Sequence, residues 1–212
     1  MLYFYKKLNN HHQAGKKMEK LLNDLKALAG KKIEPNLVRK TILKHDIKKL
    51  EYADYIKGAD FTTYNRIPLF EEPLQAFIMI RPPQHSLPIH HHNNFWGFIV
   101  PLQGVVAETV YNYDAPKHKV FIHPTKTFSK GEYIYEPFNV LHKLQNNSPL
   151  EPAITFHVRY PSVYNYTGTM IIDAKNRRLA ILSDKATEVG WDLPEDHYQK
   201  VMENAYELEK LW

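Results

Sequence analysis

The spacing of apolar residues predicts helices in the first 60 residues of the chain. Gly30 supplies a stop after a first helix, and Pro35 suits the first turn of a second. Asp46 could cap a short third helix that continues to Leu50 and ends near Gly58. The apolar stripes of the first two helices are Met18, Leu21, Leu22, Leu25 and Leu28, then Leu37, Val38, Ile42 and Leu43.

After Asp60 the pattern changes to that of β-strands. Short runs rich in β-branched and aromatic residues are separated by turn sequences such as Gln103-Gly104 and Lys130-Gly131, with no helical pattern between them. Many short strands of this kind predict an antiparallel barrel over residues 61–182. The predicted runs are Ala76–Ile80, Phe95–Val100, Val105–Tyr111, Tyr133–Tyr135, Ala153–Val158, Thr169–Ile172 and Leu179–Leu182.

The end of the chain is predicted to be helical again. Asp192 with Glu195 three residues later fits a capping box. The apolar face that follows is Tyr198, Val201, Met202, Ala205 and Leu208. We therefore expect one mainly β domain over residues 1–212, with a helical region over 1–60, the barrel, and a helix over 192–212.

Composition excludes several classes of protein. The chain has no cysteine, which excludes disulfides, zinc ribbons and cysteine nucleophiles, and its 13% of aromatic residues excludes global disorder. The apolar run at the N-terminus is far too short for a signal-peptide core, and no stretch approaches the roughly 20 apolar residues of a membrane span. We expect a cytoplasmic protein, a monomer or weak homo-oligomer, without a membrane partner. The net charge of +5 comes with scattered lysines, so we expect no nucleic-acid partner.

The candidate chemistry lies in the histidines. His90-His91-His92 comes just before the run Phe95–Val100. Because side chains two apart in a strand share a face, His90 and His92 can point inward together while His91 points away. Three adjacent histidines alone are more typical of a polar patch on a loop than of a metal site.

A second motif favours the metal interpretation. The spacing G-x5-P-x-N-x2-H-x3-N, from Gly131 to Asn146, resembles the second motif of the cupin superfamily, with Asn139 where a glycine is usual. His90-x-His92 is similar to the core of the first cupin motif, although the leading glycine and the glutamate of that motif are missing. Both motifs lie on strands of one small barrel in cupins, so His90, His92 and His142 are expected to converge.

Three neutral imidazoles are an informative ligand set. The usual non-haem Fe(II) site has two histidines and one carboxylate. A set of three histidines leaves the metal its full +2 charge, which an anionic substrate can balance. A thiolate substrate fits this arrangement.

The combined motifs resemble the cysteine dioxygenase family of thiol dioxygenases, over about residues 60–175. The matching blocks are Ile89–Asn93, Phe98–Gly104, Glu108-Thr109, Leu141-His142, Asn146, Ser148, Pro152-Ala153, His157 and Tyr64-x-Arg66.

The resemblance implies a role for each matching side chain. His90, His92 and His142 would bind Fe²⁺, and Arg66 would grip the substrate carboxylate with Tyr64 on the same face. His157 would be a catalytic proton or oxygen partner in the pocket, and Tyr64 is the second catalytic candidate. Thr155 would present its hydroxyl on the same face as His157, as a substrate-binding group. A surface arginine and a core histidine are the alternatives for Arg66 and His157.

Two departures from the family bear on the substrate. Many members carry a cysteine five residues after the second iron histidine, linked to a tyrosine, but Gly97 stands there and excludes the crosslink. The tyrosine is expected two residues after His157, where this chain has Arg159 followed by Tyr160. By alternation Tyr160 faces the other way unless a bulge intervenes, and Arg159 becomes a second substrate-binding candidate.

The implied function is an iron-dependent thiol dioxygenase that converts a small thiol acid to its sulfinic acid with O₂. L-Cysteine is the first substrate considered, since the family's arginine goes with cysteine and a glutamine there goes with 3-mercaptopropionate. The alternatives are a cupin dioxygenase acting on another small acid, such as 3-mercaptopropionate, and a non-catalytic metal-binding or ligand-sensing cupin. The pair Tyr64 and Arg66 favours an enzyme, because a metal store needs no carboxylate clamp.

Overall fold

The structure is a computed structural model that describes residues 17–163 and 165–211. The apolar run at the start of the chain, judged above to be too short for a signal-peptide core, lies outside these residues. The helices are α1 (residues 17–26) and α2 (Pro35–Leu43), with single 3₁₀ turns at Ile47–Lys49, Ala53–Ile56 and Glu195–His197. In the described ranges, no helix has the length and apolar character needed to cross a membrane.

Both longer predicted helices are confirmed. Pro35 occupies the first turn of α2, and Gly30 has a positive φ of 76° in the turn that follows α1. The predicted third helix shortens to a 3₁₀ turn. Asp46 makes no capping bond there, because its carboxylate pairs with Lys49 at 2.8 Å instead.

The described residues form two facing β-sheets. The first sheet has the order β1-β2-β10-β4-β8, and the second has the order β13-β12-β11-β3-β9-β5-β6-β14, with β7 paired to β5. The pair β14–β6 is parallel and the other strand pairs are antiparallel. This confirms the mainly β, antiparallel architecture that the sequence predicts. The strands are β1 (Asn65–Phe70), β2 (Gln75–Arg81), β3 (Ile89–His90), β4 (Trp96–Gln103), β5 (Val106–Asp114), β6 (Lys119–Ile122), β7 (Lys126–Phe128), β8 (Ile134–Glu136), β9 (Leu141–Gln145), β10 (Ala153–Tyr160), β11 (Met170–Asp173), β12 (Arg178–Leu182), β13 (Tyr198–Met202) and β14 (Glu207–Lys210).

The central strands of the first sheet, β2, β4 and β10, are buried on both faces, and strand alternation divides their side chains between two environments. In β10, Ile154, Phe156 and Val158 pack into one core cluster with the apolar stripes of α1 and α2. The alternate residues of β10 therefore point to the other side of the sheet, toward the second sheet. We call this side the inner face; its residues include Phe77, Met79, Arg81, Gly97, Thr155, His157 and Arg159.

The predicted C-terminal helix over 192–212 is wrong. After the 3₁₀ turn, β13 pairs with β12 and β14 pairs with β6, so the tail extends the second sheet at both ends. The supposed apolar face is not buried as a unit, since Val201 and Leu208 are 46% and 40% exposed. Asn204 has a positive φ of 47°, which interrupts a helix. The open edges of β12 and β6 offer backbone hydrogen-bond partners to the tail. These hydrogen bonds outweigh the local preference of the tail for a helix.

Candidate active site

Three histidines converge between the two sheets. His90 on β3 and His142 on β9 are direct partners in the strand ladder, and His92 follows His90 by two residues. All three are buried, and their candidate ligand atoms lie within 4.8 Å of one another. His91 between them is not part of this cluster.

The ring nitrogens of these histidines are arranged as metal ligands. Nδ1 of His90 lies 2.9 Å from the carbonyl of Pro88, and Nδ1 of His142 lies 3.0 Å from the carboxylate of Glu108. Both partners only accept hydrogen bonds, so Nδ1 carries the proton and Nε2 presents its lone pair. Nε2 of His142 is buried with no hydrogen-bond partner among the described residues.

The protonation state of these rings suits metal binding. Nε2 of His90, which carries the lone pair, lies 3.1 Å from Nε2 of His92. Burial, and then the neighbouring imidazole of His142, lowers the pKa of His90 well below its usual value, and burial and then His90 do the same for His92. The rings of His90 and His92 are therefore neutral at pH 7, the state in which imidazole binds a metal. The donor set fits a divalent transition metal.

A cavity of about 860 Å³ opens beside the cluster, and Tyr64 and Arg66 border it together with His90 and His92. The guanidinium carbon of Arg66 lies 4.0 Å from the centre of the Phe77 ring, and its Nη2 donates to Gln75. Tyr64 stacks on His85 with ring centres 4.6 Å apart. The structure thus brings the predicted anchor and two of the three predicted metal ligands, His90 and His92, to one cavity.

Arg159 borders the same cavity from a buried position, with 6% of its surface exposed. Its guanidinium carbon lies 4.6 Å from the centre of the Phe95 ring, and Phe95 in turn stacks on His92 at 4.1 Å. Tyr160 instead packs against Trp96 on the opposite side of the sheet, and the irregularity in the β10–β4 pairing lies far from it, at Ile154/Thr155. Arg159 therefore occupies the place where the family tyrosine is expected.

His157 belongs to a buried hydrogen-bonded chain on the inner face. Nη1 of Arg81 donates to the Thr155 hydroxyl at 2.9 Å, and that hydroxyl can donate to Nε2 of His157 at 2.8 Å. Burial, and then the charges of three arginines, holds the pKa of His157 well below its usual value; the arginines are Arg81, Arg159 and Arg66, in decreasing order of effect. His157 is therefore neutral at pH 7. Neither His157 nor Thr155 is among the residues that line the cavity.

Three side chains of the site have no assigned role in the sequence analysis. Arg81 ends β2 directly before two prolines, and the sequence pattern places it in a turn. Glu108 lies in one of the sequence blocks that match the family. Its role in orienting the ring of His142 is visible only from the 3.0 Å contact between the two side chains. Glu136 comes just after the predicted run Tyr133–Tyr135, and its position as the last residue of β8 depends on pairing with Gly97, 39 residues earlier in the chain.

Gly97 is required where it stands. A Cβ atom at this position would lie 2.6 Å from the backbone carbonyl of Val158 and 3.4 Å from Oε2 of Glu136. A backbone atom cannot move aside as the end of a flexible side chain can. The cysteine that many family members carry at this position would meet the same obstacle.

We expect Gly97→Ala to lower the free energy of unfolding by about 1–3 kcal/mol through overpacking. Denaturant unfolding monitored by circular dichroism would measure it. Gly190→Ala is the matched control, because a Cβ there meets nothing closer than 3.5 Å. Equal stability of the two variants would contradict the close approach of Val158.

The two facing sheets and the cluster together define a mainly β protein with a buried three-histidine site. The chain belongs to the cysteine dioxygenase type I family, whose model matches residues 12–167. It is 24% identical over 145 residues to cysteine dioxygenase type 1 of Rattus norvegicus and, equally, of Mus musculus; the match covers 67% of this chain and 72% of each relative. Among solved structures, it is similar to an uncharacterised conserved protein with a double-stranded β-helix domain from Klebsiella pneumoniae, at 15% identity and a TM-score of 0.44, over 57% of this chain and 88% of that one. The family resemblance predicted from the motifs is confirmed.

Proposed function

We propose that this protein is an iron-dependent thiol dioxygenase that converts a small thiol acid, with L-cysteine as the first candidate, to its sulfinic acid with O₂. The observation that carries this proposal is the inward-facing cluster of His90, His92 and His142 beside a cavity bordered by two arginines. Membership in the cysteine dioxygenase type I family supports the same class of reaction.

The three histidines would hold Fe²⁺ through their Nε2 atoms. When bound, Fe²⁺ supplies electrons to O₂ and a site for the substrate thiolate. Glu108 fixes the ring of His142 by accepting the Nδ1 proton, and the Pro88 carbonyl does the same for His90. Such partners set both the orientation and the basicity of a ligand.

Arg66 would orient the substrate by its carboxylate. A planar guanidinium can make two parallel charge-assisted hydrogen bonds to a carboxylate, which fixes direction as well as position. Phe77 and Gln75 hold the guanidinium at the cavity. Arg159 adds a second permanent positive charge to the wall, and Tyr64 presents an aromatic hydroxyl there.

His157 would act as a neutral hydrogen-bonding partner. Its Nε2 faces the Thr155 hydroxyl, and its buried Nδ1 has no hydrogen-bond partner among the described residues. With the proton on Nδ1, the uncharged ring accepts a hydrogen bond from Thr155. Because His157 does not line the cavity, it would support the site through Thr155 and Arg81 and not by contact with the substrate. Burial, and then three nearby arginines, oppose its protonation, so we do not assign it the role of a general acid.

The proposal is tested by oxygen uptake of the Fe²⁺-loaded protein with L-cysteine, 3-mercaptopropionate and cysteamine. We expect uptake with a thiol acid and formation of its sulfinate by mass. Cysteamine lacks the carboxylate that the arginines would bind, so we expect it to be a poor substrate. If none of the three thiols raises oxygen uptake above that of the protein alone, the proposed function is wrong, and a metal-binding or sensing cupin becomes the better account.

A further inference from the structure

We infer that a second cavity of this protein binds a small arylalkylamine, an aromatic ring with an ammonium group on a short chain, and that the bound amine weakens metal binding through Glu108. The second cavity has a volume of about 440 Å³ and lies where β7 of the second sheet leads into β8 of the first. None of its lining residues borders the cavity of Arg66 and Arg159. Amine binding is independent of the proposed function, whereas the effect on the metal rests on it.

The walls of the second cavity suit an aromatic ring. Most of the lining side chains are apolar or aromatic, and they include Phe128, Tyr133 and Tyr135. Ile134 is buried in a core cluster against which Phe128 also packs, so this part of the wall is fixed. Sites for small molecules are typically concave and mostly apolar, with volumes of about 300–1,000 Å³ and a few polar groups that set orientation. Here the polar groups decide the charge of the ligand.

Glu108 gives the second cavity a negative charge. Its side chain is 12% exposed, and its Oε1 lies 3.0 Å from Nδ1 of His142. Oε2 makes no hydrogen bond or ion pair with the described residues. Lys126 is the ladder partner of Glu108 and borders the same cavity, yet the two side chains do not form an ion pair. A largely buried carboxylate oxygen without a donor favours a cation that arrives with a ligand.

His123 supplies a second polar contact in this cavity. Its backbone N–H donates to the carbonyl of Val110 at 3.0 Å, which fixes the residue against β5. Nε2 of its ring is buried and has no hydrogen-bond partner among the described residues. An ammonium group carries three donors, so one ligand group can serve both the carboxylate and a neutral imidazole. The aromatic walls also attract a cation.

Glu108 connects the second cavity to the metal centre. By accepting the Nδ1 proton of His142, it sets the orientation and the basicity of that ring as a ligand. An ammonium group that pairs with the same carboxylate weakens this hydrogen bond and brings a second positive charge toward the metal. The bound amine therefore lowers metal affinity, and the bound metal lowers amine affinity by the same factor.

Amine binding is tested by calorimetry of the full chain with benzylamine, without metal and with Fe²⁺ under anaerobic conditions. Benzyl alcohol is the uncharged probe of similar size. We expect one saturable site for benzylamine in the metal-free protein, with a Kd on the order of 1 mM or tighter, and at least about tenfold weaker binding of benzyl alcohol. L-Cysteine should not displace benzylamine. Equal binding of the two probes, displacement by cysteine, or no saturable binding would overturn the inference.

Variants locate the amine in the second cavity. His123→Leu removes the ring nitrogen and should raise the Kd for benzylamine roughly tenfold. Lys126→Glu turns an exposed positive charge at this cavity into a negative one and should lower the Kd. Lys175→Glu is the matched control, because it makes the same change at an exposed lysine of the other cavity and should leave the Kd unchanged. The two lysine variants decide the location if His123→Leu does not fold. Equal Kd values for both would place the amine elsewhere.

The link to the metal is tested by competition for Fe²⁺ against a chelator, with and without saturating benzylamine. We expect benzylamine to raise the Kd for Fe²⁺ at least about fivefold, benzyl alcohol to leave it unchanged, and Glu108→Gln to abolish the effect of benzylamine. If benzylamine binds and metal affinity stays the same, the coupling through Glu108 is wrong. If the protein binds no metal, the proposed function fails, and the titration of the metal-free protein still tests the second cavity.

Discussion

His142→Ala should lose the bound metal, and His91→Ala should retain it. His142 supplies one of three convergent nitrogens, and no other His, Cys, Asp or Glu side chain of the described residues belongs to that group. Loss of a partner that only orients a ligand lowers metal affinity about 10–100-fold, and loss of the ligand itself should exceed that range. Metal content after dialysis, together with competition against a chelator, would measure the effect.

His91 provides the matched control for this prediction, because it is the same residue type within the same run of three histidines. Glu108→Gln should fall between the two alanine variants, since it removes only the charge of the carboxylate that orients His142. Full metal content in His142→Ala, or metal loss in His91→Ala, would show that the ligand set is wrong. A carboxylate ligand seen in a metal-loaded crystal structure would show the same.

Arg66→Ala should lower kcat/KM for the thiol acid roughly tenfold to a hundredfold while iron content stays unchanged. The lost interaction is a charge-assisted hydrogen bond to the substrate carboxylate, worth about 1.5–3 kcal/mol. Arg66→Lys would keep the charge but lose the two-pronged geometry, so we expect only partial recovery. Steady-state kinetics with parallel iron determination would measure both parts of the prediction.

Arg159→Ala is the necessary comparison, because Arg159 also borders the cavity and is the more deeply buried of the two arginines. It is separated from the ring of His92 by the single ring of Phe95. If only the Arg159 variant loses affinity for the thiol acid, the assignment of Arg66 as the anchor is wrong. The case for cysteine as the first substrate would weaken with it.

Local periodicity predicted much of the fold and of the cluster. The spacing of Leu21 and Leu25 places them on one helix face, and both pack into the core that covers the first sheet. Side chains alternate between the two faces of a strand. This alternation predicted that His90 and His92 share a face and that Tyr160 and Arg159 lie on opposite faces. These features depend on neighbours within a few residues, which a sequence displays directly.

The features that the sequence did not predict depend on partners far away in the chain. The strands β13 and β14 form because β12 and β6 leave open edges, which is a property of the assembled sheet. Arg81 makes its hydrogen bond to Thr155 across 74 residues of sequence, and Glu136 meets the inner face only through its pairing with Gly97. Such positions have no local signal, because the same residues are ordinary in a turn or at a strand end.

The most direct test of the thiol dioxygenase proposal is the reaction of the Fe²⁺-loaded protein with L-cysteine under ¹⁸O₂, followed by mass spectrometry of the product. A dioxygenase transfers both atoms of O₂ to sulfur. We therefore expect cysteine sulfinic acid that carries two ¹⁸O atoms, and no such product from His142→Ala treated in the same way. Cystine as the only product, or sulfinic acid whose oxygen comes from water, would contradict the account.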